Sequence, residues 1–306
     1  MNKAVIFPGQ GSQSVGMGKD LFENSAEVRA LFEQASEILK EDMQKLCFVE
    51  NTKLHSTQYT QPAILLVSFS VFSLIAEKLK GNIGFGLGHS LGEFSALCAS
   101  GALDFQKAIS LVYQRGLLME KVCKSKTAGM MVVLGLEDAI LEEFCVKKRN
   151  IGLSVWCANY NADGQMVLGG SKEDLHSLEV ELKGLGAKRT LMLPMSVASH
   201  CLMLEEMCEE FKVLLNEALC DCFAFPIISN VNAKPYHTKE QALELLSNQL
   251  IAPVLYKQSI RENDGGVSGF IECGGNVLKG LNKRLSKKDT LSLQTYAEVQ
   301  DFLQKD

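Results

Sequence analysis

Between residues 88 and 93 the chain reads Gly-His-Ser-Leu-Gly-Glu, and this stretch restricts the fold more than any other. A serine with a glycine two residues away on each side fits a sharp turn between a strand and a helix. There its hydroxyl stands clear and the N–H of the next residue faces the same space. Glycine suits both flanks because the turn is crowded. Upstream, Ile83 to Gly88 reads as a buried strand, and downstream Leu91, Phe94 and Cys98 recur at helical spacing until Gly101. The same letters also describe a glycine-rich turn whose serine only caps the following helix, so the remaining chain has to decide.

Size and composition narrow the choice. With 306 residues, 46% hydrophobic and 22% charged, the chain can build one large domain or a large and a small one, each with a core. A net charge of -5 gives no basic excess for nucleic acid. Ten cysteines without CxxC pairs point away from a zinc site or a disulfide framework, and toward reduced thiols in the cytoplasm. The apolar run of Ala4 to Phe7 stops at Pro8 with no small-residue cleavage site after it, so it reads as a first strand rather than a signal peptide. Ala63 to Ala76 is too short for a bilayer, which takes about 20 residues, and reads as a buried helix. No membrane association is expected.

After the first strand comes Pro8-Gly9-Gln10-Gly11-Ser12-Gln13. Ser14 stands where a dinucleotide fingerprint needs its third glycine, and no Gly-Lys-Ser/Thr follows, so both phosphate-loop readings fail. What remains is a loop at a strand end that holds Gln10, or a plain surface turn. Leu21 to Leu39 is periodic as a helix, and Thr60 and Pro62 read as helix-start residues. Asp104 can cap a helix running to about Lys124, beside whose inner stripe lies Arg115. A guanidinium there either snorkels to water or is held inside by an anion, which can belong to a substrate.

From Gly129 the pattern changes to strand, helix, strand, strand, helix, strand: 130–134, 137–148, 153–158, 165–168, 172–185 and 187–193. That is the ferredoxin-like order. The pattern thus places a small ferredoxin-like inserted domain at 126–193, between two parts, 1–125 and 194–306, of a larger α/β domain. His200 precedes an amphipathic run through Met203, Met207, Phe211, Leu214 and Ala218, so the ring is expected at a helix N-terminus, whose positive end keeps it neutral. A cap or surface role is the alternative. Further strands are expected at 225–229 and 269–272, with a helix at 239–250 and another ending near Glu262. A basic segment from Lys279 to Lys288 reads as a solvated helix face before a short terminal helix.

A nucleophilic serine needs a base and an oxyanion hole. Ser90 can attack an acyl carbonyl, His200 can take its proton, and the Leu91 N–H with Gln10, chiefly through its backbone N–H, can hold the oxyanion. No Asp or Glu completes a triad in the sequence. Activated thioesters demand less of the base than amides do, so they are the preferred substrate class.

Taken together, Phe7 to Gln13, Thr60-Gln61-Pro62-Ala63, Gly88 to Glu93, Arg115 and Val197-Ala198-Ser199-His200-Cys201 resemble the bacterial malonyl-CoA:acyl-carrier-protein transacylases over nearly the whole chain. The resemblance implies an α/β fold, a hydrolase-like large domain with a parallel sheet core that carries the ferredoxin-like insert. It also implies an S-malonyltransferase of fatty acid synthesis, working by ping-pong transfer through a malonyl ester on Ser90, with His200 as acid and base. It implies that Arg115 pairs with the malonyl carboxylate, that Gln61 and His89 lie against the substrate, and that the backbone carbonyl of Gln249 orients His200. It further implies malonyl-CoA as substrate, an acyl carrier protein as partner, and neither metal nor cofactor; a monomer is expected. Two departures stand out: Ala198 replaces the usual proline, and Gly274-Gly275-Asn276 replaces Gly-Pro-Gly. Ala198-Ser199-His200 also resembles a tripeptide of methylmalonyl-selecting acyltransferases, which leaves malonyl selectivity open. Lys188, Arg189 and the 279–288 segment are candidates for contacting acidic carrier or CoA phosphates. The competing readings are a serine hydrolase or thioesterase, in which water finishes the reaction, and a noncatalytic carrier-binding module.

Overall fold

Val5, Ile6 and Phe7 are fully buried on both faces of a strand, and that pattern belongs to a parallel sheet covered by helices. The computed structural model describes residues 2–305. Its strands are β1 (Lys3–Phe7), β2 (Ile83–Gly88), β3 (Ala128–Leu134), β4 (Val155–Ala162), β5 (Gln165–Ser171), β6 (Arg189–Met192), β7 (Ile227–Ile228), β8 (Pro235–Tyr236), β9 (Phe270–Cys273) and β10 (Thr290–Leu293). One sheet has the order β10-β9-β1-β2-β7-β8, all parallel except β8. β1 and β2 are neighbours at its centre, so the loops leaving Phe7 and Gly88 emerge side by side.

The second sheet, β4-β5-β3-β6, is antiparallel throughout. With a helix at Asp138–Asn150 and two short ones at Lys172–Ser177 and Glu179–Gly184, it has the ferredoxin-like order. One face carries its own core, including Met131, Val133, Leu141, Phe144 and Leu168. The other face presents Met130, Ala158 and Val167 toward the large sheet's loops. β4 is tied across by hydrogen bonds from Tyr160 N–H to Val254 O and from Val254 N–H to Ala158 O. Ion pairs of Lys257 with Asp138 and of Arg261 with Asp163 add further ties. The domain limits of 126 and 193 are our proposal; the strands of the small sheet fall within them.

Several elements differ from the expectation. The helix expected over 21–39 is two helices, Lys19–Asn24 and Ala26–Leu39, divided where Ser25 turns extended and its hydroxyl accepts from Val28 N–H. The buried helix starts at Thr57, ahead of Pro62, and runs to Leu79. It is long and apolar enough to cross a membrane, yet 67% of its most apolar window is buried inside the protein. β10 was not expected. It follows the Lys279 to Lys288 segment and pairs with β9 at the sheet edge.

Candidate active site

Ser90 sits between β2 and the helix Leu91–Ser100 with φ 53 and ψ -105, a left-handed backbone that a non-glycine residue adopts only when its surroundings impose it. Here they do. The Ser90 N–H donates to Asn230 Oδ1 at 2.7 Å, and Asn230 Nδ2 donates to Gly88 O at 2.7 Å, so one side chain clamps both arms of the turn. A Cβ on Gly92 would lie 2.0 Å from Phe7 O, and one on Gly88 1.7 Å from Gly92 C. The glycines therefore let the helix start rest directly on β1, as the sequence motif requires.

The hydroxyl of Ser90 lies 2.7 Å from His200 Nε2, and His200 Nδ1 lies 2.7 Å from the backbone oxygen of Gln249. The carbonyl can only accept, so Nδ1 carries the proton and Nε2 is left free to accept from Ser90. His200 is 2% exposed, and burial, with the Arg115 charge adding to it, pushes its pKa down to about 3. The helix-dipole explanation fails: only a short 3-10 helix, Leu202–Met207, follows His200, and the α-helix begins at Cys208. Desolvation and a neighbouring cation keep the ring neutral.

Arg115 is 1% exposed on the helix Phe105–Lys124. Nη1 donates to Gln61 Oε1 at 2.9 Å, and Nη2 donates to Gln249 Oε1 at 3.1 Å and to Ser90 Oγ at 3.3 Å. Nε has no partner, and the guanidinium lies 5.2 Å from the Phe94 ring centroid. The sequence left Arg115 either snorkelling to water or held inside by an anion. The structure buries it on three hydrogen-bond partners, all uncharged oxygens, which leaves its charge available to an entering anion. Burial lowers its pKa to about 10, so it stays charged at neutral pH.

Leu91 is the first residue of its helix, so its N–H has no intrahelical acceptor and points past Ser90. The side chain of Gln10 is turned to Thr57 Oγ1 at 3.2 Å, which leaves its backbone N–H as the group able to face an oxyanion. His89 Nε2 lies 2.8 Å from Asn161 Oδ1, and its pKa is lowered by burial. All of Gln10, Gln61, His89, Ser90, Leu91, Arg115 and His200 border one cavity of about 150 Å³; its apolar wall comes from Met119, Met130, Val132, Val167, Leu193 and Met195. The expected catalytic and acyl-contact residues are thus gathered in one cleft, with Gln249 just behind it, whereas Lys188, Arg189 and the 279–288 segment do not line it.

Sequence reasoning passed over Asn230, Asn161, Tyr236 and the carboxylate of Glu93. Glu93 was quoted as a motif letter without a role. Its carboxylate accepts from Tyr236 OH, Asn230 N–H and Gln249 Nε2. In the basic segment, Arg284 is tied to Gln165 and Asp163, and Lys288 to the carbonyls of Asp264 and Val267. Among the described residues no group of three or more His, Cys, Asp or Glu is placed to hold a metal.

A serine on a strained elbow, an imidazole primed to accept its proton and a buried cation beside both can move an acyl group bearing an anion. On this α/β framework with its inserted sheet, fold and site define a serine-dependent acyl transferase. The profile of the acyl transferase domain matches residues 5–277. A Staphylococcus aureus malonyl CoA-acyl carrier protein transacylase is 36% identical over 307 residues, covering 99% of each chain. The crystal structure of the Helicobacter pylori malonyl-CoA:acyl carrier protein transacylase superposes with a TM-score of 0.95 at 48% identity, covering 99% of this chain and 97% of that one. A malonyl-transacylase solved in complex with a type II PKS acyl-carrier protein superposes at 0.94 with 33% identity over the whole of both chains. The chain belongs to the malonyl-CoA:acyl-carrier-protein transacylase family.

Proposed function

We propose that this protein transfers a malonyl group from malonyl-CoA to the phosphopantetheine thiol of an acyl carrier protein, supplying fatty acid synthesis. The observation that carries this reading is Arg115, buried and charged, within 3.3 Å of the Ser90 hydroxyl. Ser90 Oγ attacks the thioester carbonyl as His200 Nε2 takes its proton, and the Leu91 and Gln10 N–H groups receive the oxyanion. Collapse expels the CoA thiolate, which takes the proton back from His200. The carrier thiol then gives its proton to His200, attacks the seryl ester and releases Ser90, whose oxygen is reprotonated. Arg115 holds the malonyl carboxylate throughout, with Gln61 and His89 bordering the acyl group. The backbone carbonyl of Gln249 keeps the His200 tautomer.

The thioester carries its own activation, so the reaction calls for no cofactor. The narrow, methionine-rich wall excludes water while the ester waits for a thiol, which favours transfer over hydrolysis. Free cysteines and soluble substrates fit the cytoplasm.

The test is to mix the protein with malonyl-CoA, quench, and weigh the peptide containing Ser90, with acetyl-CoA and Arg115→Ala alongside. A malonyl adduct on Ser90, weak labelling by acetyl-CoA and loss of malonyl preference in the variant are expected, followed by transfer to added holo carrier protein. Rapid CoA release without adduct would make the protein a hydrolase. Neither adduct nor release would leave a carrier-binding module.

A further inference from the structure

Gln249 serves four neighbours at once. Its backbone oxygen accepts from His200, its Oε1 accepts from Arg115, and its Nε2 donates to Ser90 O at 3.2 Å and to Glu93 Oε2 at 2.8 Å. An amide can be turned either way, and here the two faces are opposite in character. Arginine has only donors, so it requires Oε1; a carboxylate has only acceptors, so it requires Nε2. Glu93, at the shorter of the two Nε2 contacts and beside the Ser90 carbonyl, therefore holds the amide in the orientation presented to Arg115.

Glu93 is itself held on several sides. It stands three residues after Ser90, on the first turn of the elbow helix, and is 1% exposed. Tyr236 OH donates to one of its oxygens at 2.9 Å, and Asn230 N–H donates to the other at 3.1 Å. Asn230 returns to Ser90 through Oδ1. The contacts close a ring, Ser90 to Arg115 to Gln249 to Glu93 to Asn230 and back to Ser90, of which only Ser90 and Arg115 border the cavity.

We propose that Glu93 is a positioning residue: through the Gln249 amide it holds the Arg115 guanidinium at the place where the acyl group's carboxylate must dock. Glu93 reaches neither the cavity nor the reacting atoms. Because Asn230 and Gln249 also touch Ser90, labelling of the serine is the control that separates recognition of the carboxylate from the serine's reactivity. The proposal rests on the transfer reading above.

The experiment uses Glu93→Asp, which keeps the carboxyl group but falls one methylene short of Gln249, with Glu93→Ala and Glu93→Gln. In the glutamine variant an oxygen faces both Asn230 N–H and Gln249 Nε2, so the acceptor is restored. The Asp and Ala variants should raise the KM for malonyl-CoA about tenfold and leave labelling of Ser90 by a fluorophosphonate within threefold of wild type. Glu93→Gln should return the malonyl KM to within threefold. The crystal structure of Glu93→Asp should show the Gln249 amide turned off Arg115. An unchanged malonyl KM in Glu93→Asp, or an equal loss of malonyl transfer and fluorophosphonate labelling, would overturn the proposal. Should wild-type protein form no malonyl ester, the transfer reading falls, and the Gln249 orientation in the variant crystal still decides the role of Glu93.

Discussion

The imidazole of His200 is oriented by the backbone carbonyl of Gln249, 2.7 Å from Nδ1, where hydrolases of amides place a carboxylate. The carbonyl acceptor fixes the tautomer and pulls the pKa upward, but burial and the Arg115 charge outweigh it, and His89, the other ionisable ring nearby, acts in the same direction as they do. His200 therefore stays neutral far below physiological pH.

It follows that His200 protonation contributes no acid limb to kcat/KM for malonyl-CoA between pH 8 and pH 5, because the free-enzyme pKa lies at about 3. Steady-state rates across that range should be flat within about threefold once rates are corrected for protein stability. A descending limb with a midpoint near 6.5, absent from a variant that alters His200's surroundings, would show an ordinary imidazole instead.

Arg115 makes separate contacts through Nη1 and Nη2, to Gln61 and Gln249, that no lysine can reproduce from a single ammonium. Arg115→Lys should thus keep the charge and still lose most of the malonyl preference. Arg115→Ala should lower kcat/KM for malonyl-CoA roughly 100-fold, as expected for a lost charge-assisted contact. Acetyl-CoA, which has no carboxylate, should be turned over at unchanged or slightly higher rate by both variants. Equal losses on the two thioesters would assign Arg115 to the scaffold.

Gly92 is the point where the elbow helix touches β1. An added Cβ would meet Phe7 O at 2.0 Å, a backbone atom in the centre of the sheet that cannot move aside. Gly92→Ala should destabilise the protein by about 3 kcal/mol or more, with a lower denaturant midpoint. Gly184 has nothing within 4 Å of its Cβ position, and Gly184→Ala in its short helix should be neutral or mildly stabilising. The contrast between the two separates backbone collision from helix propensity.

How much of this was legible in the sequence follows from how local each signal is. The Ser90 elbow spells its geometry within six residues, and the ferredoxin-like unit repeats short strands and helices whose periods are plain. Arg115 showed itself as a charge beside an apolar stripe. The Gln249 side chain, Asn230 and Tyr236 did not, because their contacts with Glu93 span 156, 137 and 143 residues and nothing near any of them marks the meeting. β10 escaped notice because lysines before it dominate the segment, although Ser292 and Leu293 are buried against β9. The start of the long helix was misplaced for a different reason. Thr60 lies inside it, its hydroxyl donating to the Leu54 and Ser56 carbonyls, and Pro62 is carried within the helix rather than opening it.

Glu93 links the site to stability. Burial raises its pKa from 4.5 to about 7, against the opposing pull of its hydrogen bonds and of Arg115. Between those values the folded protein binds more protons at this position than the unfolded chain does, so stability falls as pH rises from about 4.5 to 7 and levels off above. His200, with its depressed pKa, acts in the opposite sense between pH 3 and 6.5, so the two must be separated by subtraction. Glu93→Gln keeps the hydrogen bonds and removes the titration. Relative to wild type it should gain on the order of 3 kcal/mol between pH 5 and pH 8, measured by urea denaturation at each pH. A difference that stays constant across that range would mean that Glu93 is ionised throughout, held so by Arg115 more strongly than burial opposes it.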